Sequence, residues 1–247
     1  MQCLFFLVQV RLKLVGGSFF RFYARKELVD TKRRLSVLNL FHKNDTVVDV
    51  GCGSGTFVNS LRALGFKNVI GIDPYLNKDI NSSFGVPLKK QSLDELAGKW
   101  DQIWLIHSLE HMPDPAATFQ SISGKLADNG TAVVSLPICD SYDYEEYGSD
   151  WAGCDAPVHL FLHTKNSMEL LYRPAGLQLV GIYCLEGDWP LVLSEKIRHG
   201  YAIDNHVKSL EEILGKSCLE AVKAKTEEIN STQQAGMATF VFKHAVV

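Results

Sequence analysis

Thr46-Val47-Val48-Asp49-Val50-Gly51-Cys52-Gly53-Ser54-Gly55-Thr56-Phe57 is the stretch that decides how the rest of the chain is read. Its first five residues are β-branched and mostly apolar, as in a strand buried on both faces of a parallel sheet. Three glycines at alternate positions follow. Then Val58, Leu61 and Leu64 recur at helical spacing. A buried strand that turns on glycine into a helix brings main-chain N–H groups and a helix N-terminus close to any ligand above the turn.

Outward from this turn, Gly65 closes the helix and a second strand, Asn68 to Ile72, runs into Asp73. That aspartate stands at the carboxyl edge of the sheet, where open α/β folds bind ligands, and can accept both hydroxyls of a ribose. The glycine spacing is G-x-G-x-G, with Thr56 where the dinucleotide fingerprint G-x-G-x-x-G has its pyrophosphate-facing continuation. The spacing therefore favours a phosphate-free nucleoside ligand. A nicotinamide-dependent oxidoreductase and a non-catalytic nucleoside-binding module are the competing readings.

The alternation continues with a short strand near Pro87 to Lys90, a helical turn from Leu93 to Ala97, and a strand from Gln102 to Ile106. A helix from Pro115 to Leu126, the turn Asp128-Asn129-Gly130 and a strand from Thr131 to Leu136 follow, stopped by Pro137. Helix Asn166 to Pro174 and strands Leu177 to Cys184 and Met237 to His244 complete the pattern. The rhythm predicts an α/β, Rossmann-like, seven-stranded and mostly parallel sheet with helices on both faces. Residues 1–40 read as an N-terminal helical extension of a domain spanning 41–247. Within that domain, 186–235 reads as a lid inserted before the last strand. The Tyr-, Asp- and Gly-rich run after Pro137 reads as a long loop beside the site.

Composition bounds the partners. The 247 residues are 46% hydrophobic and 21% charged with a net charge of −3, which gives no long-range attraction to a phosphate backbone and argues against nucleic acid. Cys3, Cys52, Cys139, Cys154, Cys184 and Cys218 lack C-x-x-C spacing, as expected for free thiols in a reducing, cytoplasmic setting. The apolar run Cys3 to Val10 is interrupted by Arg11 and Lys13, too short for a span of about 20 residues, and its charges follow rather than precede it as a signal peptide requires. Leu4, Phe5, Phe6 and Leu7 leave peripheral membrane attachment open. Lys32-Arg33-Arg34 and Lys89-Lys90 read as solvated charge runs. Oligomeric state is not legible.

The likeness to a known family then gathers several motifs. Val47 to Phe57 resembles the first motif of class I S-adenosylmethionine-dependent methyltransferases, and Val69-Ile70-Gly71-Ile72-Asp73-Pro74 resembles the second, whose acidic residue holds the ribose. Gln91-Ser92-Leu93 falls where that family binds the adenine edge. Leu109-Glu110-His111-Met112-Pro113-Asp114-Pro115 resembles the Leu-Glu-His-x-x-Asp-Pro run at the end of the fourth strand. Trp151, Asp155, Pro157, His159 and Leu160 follow the W-x-x-x-D-x-P-x-H-L pattern of a subgroup resembling small-molecule and sugar-pathway methyltransferases. The likeness covers about Phe41 to Tyr183. It implies S-adenosylmethionine as cofactor, held by Asp49, Gly51, Cys52, Gly53, Gly55, Asp73, Pro74, Ser92, Leu93 and His107. It also implies a small-molecule acceptor methylated at a hydroxyl or amine, with Glu110, Tyr147 and Trp151 beside it.

Methyl transfer is an in-line displacement whose main demand is positioning, and a hydroxyl acceptor gains from a base. His111 and His159 are the candidates, since a neutral imidazole accepts a proton near pH 7. His107-Ser108-Leu109-Glu110-His111 also satisfies the zinc pattern H-x-x-E-H. That chemistry needs both histidines on one face of a regular helix, and Pro113 and Pro115 cut such a helix short. No metal ligand set is assigned from the sequence, and divalent-cation assistance at Glu110 and His111 stays open.

Overall fold

The computed structural model describes residues 17–185, 187–202 and 209–246. The apolar run Cys3 to Val10 and part of the 186–235 segment lie outside them. Helix α1 (Gly17–Val37) precedes β1 (Thr46–Val50), α2 (Thr56–Ala63) and β2 (Asn68–Ile72). After these come β3 (Ile80–Asn81), β4 (Pro87–Lys89), β5 (Trp100–Ile106), α3 (Pro115–Lys125) and β6 (Leu126–Pro137). Helices α4 (Tyr142–Tyr147) and α5 (Lys165–Tyr172) lead to β7 (Leu177–Tyr183). Then α6 (Trp189–Arg198), α7 (Leu210–Leu214) and α8 (Lys216–Ser231) precede β8 (Met237–His244).

The sheet order is β3-β4-β2-β1-β5-β6-β8-β7. β1 lies between β2 and β5, parallel to both, and β2–β4 and β5–β6 are also parallel. β8 runs antiparallel to β6 and β7, and β3 runs antiparallel to β4. The sheet is thus eight-stranded and mixed, which corrects the expectation of seven mostly parallel strands. The added strand is a two-residue edge that folds back on β4, where Ser82 N donates to Val86 O at 2.9 Å. Hydrophobic pattern reveals that a strand exists but says nothing of its direction, and so the reversal of β8 was not readable.

Alternation along β1 divides the core. Val48 and Val50 enter one cluster with Ile103, Leu105, Phe119 and Phe242, while Val47 joins Leu35, Phe57, Leu61 and Trp104 on the other face. Asp49 shares the Val47 face by the two-residue period of a strand. That face is covered by α1, and here a second expectation fails. Arg34, read as part of a solvated run, is buried and lies 3.5 Å from Glu27 Oε1. A third cluster, with Tyr147, Trp151, Leu191, Val192, Val222 and Ile229, packs α6 and α8 over the segment after β6. The expected loop there holds α4, whose start is capped by Ser141 Oγ accepting from Tyr144 N at 3.4 Å.

Candidate active site

The turn after β1 is built by left-handed glycines, with φ of 78° at Gly51, 49° at Gly53 and 80° at Gly55. Gly51 N and Cys52 N both donate to Ile72 O, at 2.8 and 3.1 Å, which fastens the turn to the end of β2. Space demands glycine as well. A Cβ on Gly51 would lie 2.5 Å from Ser108 Cβ, and one on Gly71 would lie 2.6 Å from Cys52 Sγ. Asp73 closes the arrangement: its Oδ2 accepts from Gly53 N at 3.1 Å and its Oδ1 from Tyr75 N at 2.8 Å. The carboxylate is therefore aimed at the glycine turn.

Asp49 lies beneath this turn. Burial, with Glu27 and Asp73 adding negative charge nearby, pushes its carboxyl up to about 8. The Cys52 thiol is raised for the same reasons, burial first and then Asp49 and Asp73. Sequence reasoning missed Glu27. It accepts from Thr31 Oγ1 at 3.2 Å and pairs with Arg34, so the spacing of 27, 31 and 34 along one helix face was the available signal. Pro74 is exposed beside Asp73, and Ser92, past the end of β4, donates through N and Oγ to Glu95. Leu93 is 5% exposed and serves the core behind this edge.

The other wall follows β5. His107 has φ of 50°, a left-handed residue that stops the strand. Ser108 Oγ donates to Val50 O at 2.9 Å, tying the next turn to β1. Leu109–His111 is a single 3₁₀ turn, so His107 and His111 do not share a helix face and the H-x-x-E-H pattern has no zinc-protease geometry. Instead this turn meets the segment around His159. Leu160 N donates to Glu110 O at 2.8 Å, His111 Nδ1 donates to Val158 O at 3.0 Å, and His159 Nδ1 donates to Gly153 O at 2.8 Å. The rings of His111 and His159 stand 4.8 Å apart, centroid to centroid. The two motifs, far apart in the chain, are one unit in space.

Glu110 is wholly buried, and neither carboxylate oxygen has a hydrogen-bond partner. His107 Nδ1 is 3.7 Å from its Oε1, beyond hydrogen-bond reach. Burial works to raise this carboxyl. The His107 imidazole, the group's own backbone N–H and His111 outweigh it and hold the carboxyl below the ordinary glutamate range. His163, also buried, is pulled down by burial, with Glu110 opposing.

Tyr147 and Trp151 are placed differently from what their position after β6 suggests. Trp151 is 1% exposed, and the Tyr147 hydroxyl donates to Glu195 Oε1 at 2.9 Å. Both rings pack in the cluster formed with α6 and α8.

An open α/β sheet with a glycine turn and a terminal carboxylate at its switch point defines a nucleoside-binding fold. Residues 20–182 match the model of a family described as a methyltransferase domain, and the chain belongs to this family of S-adenosylmethionine-dependent methyltransferases. Among curated relatives, the ubiquinone biosynthesis O-methyltransferase of Xanthomonas campestris pv. campestris (strain B100) is 33% identical over 99 residues. That match covers 36% of this chain and 41% of the relative. The Xanthomonas oryzae pv. oryzae (strain PXO99A) protein of the same name matches to the same extent. The chain thus spans about two fifths of the length of these relatives. Among solved structures, a putative sarcosine dimethylglycine methyltransferase from Galdieria sulphuraria has a TM-score of 0.55 at 14% identity, over 90% of this chain and 86% of that one. Coclaurine N-methyltransferase, bound to N-methylheliamine and SAH, has a TM-score of 0.54 at 15% identity, over 88% and 70%. These two likenesses concern the fold.

Proposed function

We propose that the chain transfers a methyl group from S-adenosylmethionine to a hydroxyl or amine of a small-molecule acceptor. The observation that carries this reading is the Asp73 carboxylate directed at a glycine turn too tight for side chains. Asp73 would hold the ribose, Gly51 to Gly55 the amino-acid end of the cofactor, and Ser92 the adenine edge. Asp49, its carboxyl pushed up to about 8, would sit beneath the turn as a neutral hydrogen-bonding acid at pH 7. When bound, the cofactor supplies an electrophilic methyl group, and the protein's own task is to present the acceptor in line with it.

The acceptor would lie between the turn and the Glu110, His111 and His159 unit. With each Nδ1 donating to a carbonyl, the neutral rings present their Nε2 lone pairs, and either accepts the proton of an acceptor hydroxyl. Helices α6 and α8 act as a lid, resting on the stretch after β6, and α1 acts as a helical extension covering the Asp49 face. A cytoplasmic setting belongs to this proposal, in keeping with cysteines that lack C-x-x-C spacing. Among the described residues no helix is long and apolar enough to cross a membrane.

The test is incubation with a metabolite extract and methyl-labelled S-adenosylmethionine. Label should enter the small-molecule fraction and fall by about 10²–10⁴ in His159→Ala, with binding of S-adenosylhomocysteine unchanged. Label confined to protein or nucleic acid, or absent altogether, would overturn the reading.

A further inference from the structure

The Glu110 carboxylate poses an energetic problem that the base reading leaves unsolved. An ionised group removed from water costs several kcal/mol unless hydrogen bonds or an opposite charge replace its hydration. Both its oxygens are buried without a hydrogen bond, and the His107 imidazole, 3.7 Å from Oε1, offsets its charge only when protonated. In an acid–base pair the carboxylate would accept the Nδ1 proton of the base and orient the ring. Here both Nδ1 atoms are already committed to Val158 O and Gly153 O, so Glu110 is not the orienting acid of either histidine.

The same hydrogen bonds have a second meaning. A carbonyl oxygen can only accept, so in the neutral rings each Nδ1 carries the proton and each Nε2 offers a lone pair. Metal-bound histidines are characteristically fixed in this way, with the nitrogen away from the metal donating to a backbone carbonyl or carboxylate. One ligand atom from each of Glu110, His111 and His159 lies within 4.8 Å of the others. A base requires one imidazole. Two imidazoles locked in the same tautomer beside a buried carboxylate without a hydrogen bond make a ligand set.

We infer that Glu110, His111 and His159 form a binding site for a single divalent cation of borderline character, such as zinc, iron(II), cobalt(II) or manganese. Two imidazoles and one carboxylate suit this class better than the all-oxygen sites of magnesium or calcium. The ligands differ from those the H-x-x-E-H pattern suggests, because His159 takes the place of His107. Three protein ligands leave coordination positions open. Ser108, two residues before Glu110, packs on Gly51, which brings this turn next to the glycine turn. On the methyltransferase reading, an acceptor oxygen or nitrogen would occupy an open position, and the cation would take over from the imidazoles the task of making a hydroxyl acidic. Only this use of the cation rests on that reading, and its binding does not.

The test uses the full chain, stripped with a chelator and titrated with Co²⁺, with visible ligand-field absorption and calorimetry as readouts. One Co²⁺ per chain should bind with a visible band. Glu110→Gln and His159→Asn should each weaken binding about tenfold or more, and His107→Asn should keep it. Circular dichroism melts identify any variant that fails to fold, and the other ligand variant then carries the test. Absence of stoichiometric binding to the wild-type chain, or binding unchanged in the folded ligand variants, would overturn the inference. S-adenosylhomocysteine calorimetry on the same samples separates the two ideas. Binding of the nucleoside without Co²⁺ sinks the cation site alone, and Co²⁺ without the nucleoside sinks the methyltransferase reading alone.

Discussion

Gly51 meets two separate requirements, and they can be measured apart. Its φ of 78° strains any residue with a Cβ, and that Cβ would meet Ser108 Cβ at 2.5 Å. Gly51→Ala should therefore destabilise the protein by roughly 2–4 kcal/mol, about 1 kcal/mol from the dihedral and the rest from the clash. Adding Ser108→Gly should recover part of the steric cost and none of the dihedral cost, giving a favourable coupling in a double-mutant cycle of denaturant midpoints. Strictly additive losses would mean that the turn does not press on the segment after β5. At this scale the sequence was informative where function follows local backbone: three spaced glycines and a strand-ending aspartate are contiguous features. Glu110 and His159 were named individually, but their union was not legible, because it depends on hydrogen bonds between segments 47 residues apart. The burial of Trp151 was not legible for a related reason. A loop aromatic looks the same in sequence whether it covers a ligand or a neighbouring helix.

Among the elements, α4 and β8 meet at a group whose titration is visible in stability. Asp143 Oδ1 accepts from Gly236 N at 2.9 Å, and burial, partly offset by backbone hydrogen bonds, raises its carboxyl from 3.8 to about 6. The folded state therefore binds this proton more tightly than the unfolded chain does. The resulting stability is fully present below about pH 4 and is lost as the pH rises through about 6, up to roughly 3 kcal/mol. Asp143→Asn should flatten this part of the profile and raise the melting temperature at pH 7, with little effect at pH 4. A melting profile between pH 4 and 7 identical to wild type would show that Asp143 does not carry the proton. No sequence feature foretold this joint. The six-residue α4 is too short for a readable period, and Asp143 is buried by the strand and helices it meets. By contrast α2 and α3 were legible, since their apolar spacing, the helix-ending Gly65 and the cap at Asp114 are written locally, with Asp114 Oδ1 accepting from Ala117 N at 2.8 Å.

Over the whole molecule, the sheet supplies rigidity and the turns at its carboxyl edge carry the candidate site residues. β1, β2 and β5 lie side by side with their carboxyl ends aligned, so the glycine turn, Asp73 and the Glu110 turn converge without one element having to reach across the fold. The helices before β8 pack through their own apolar cluster onto the stretch that holds Tyr147 and Trp151. The existence of seven of the eight strands and of the crossover helices followed from periodicity. The strand order beyond β6, the reversal of β8 and the burial of Arg34 depend on contacts distant in sequence. The central claim, that the turn and Asp73 form a cradle for an adenosine-bearing sulfonium, is tested most directly by calorimetry with S-adenosylhomocysteine and NAD. The account predicts that S-adenosylhomocysteine binds and NAD does not, and that Asp73→Ala, which removes charge-assisted hydrogen bonds worth about 1.5–3 kcal/mol, weakens binding roughly tenfold to a hundredfold. Tight NAD binding with no uptake of S-adenosylhomocysteine, or affinity unaltered in a folded Asp73→Ala protein, would contradict it.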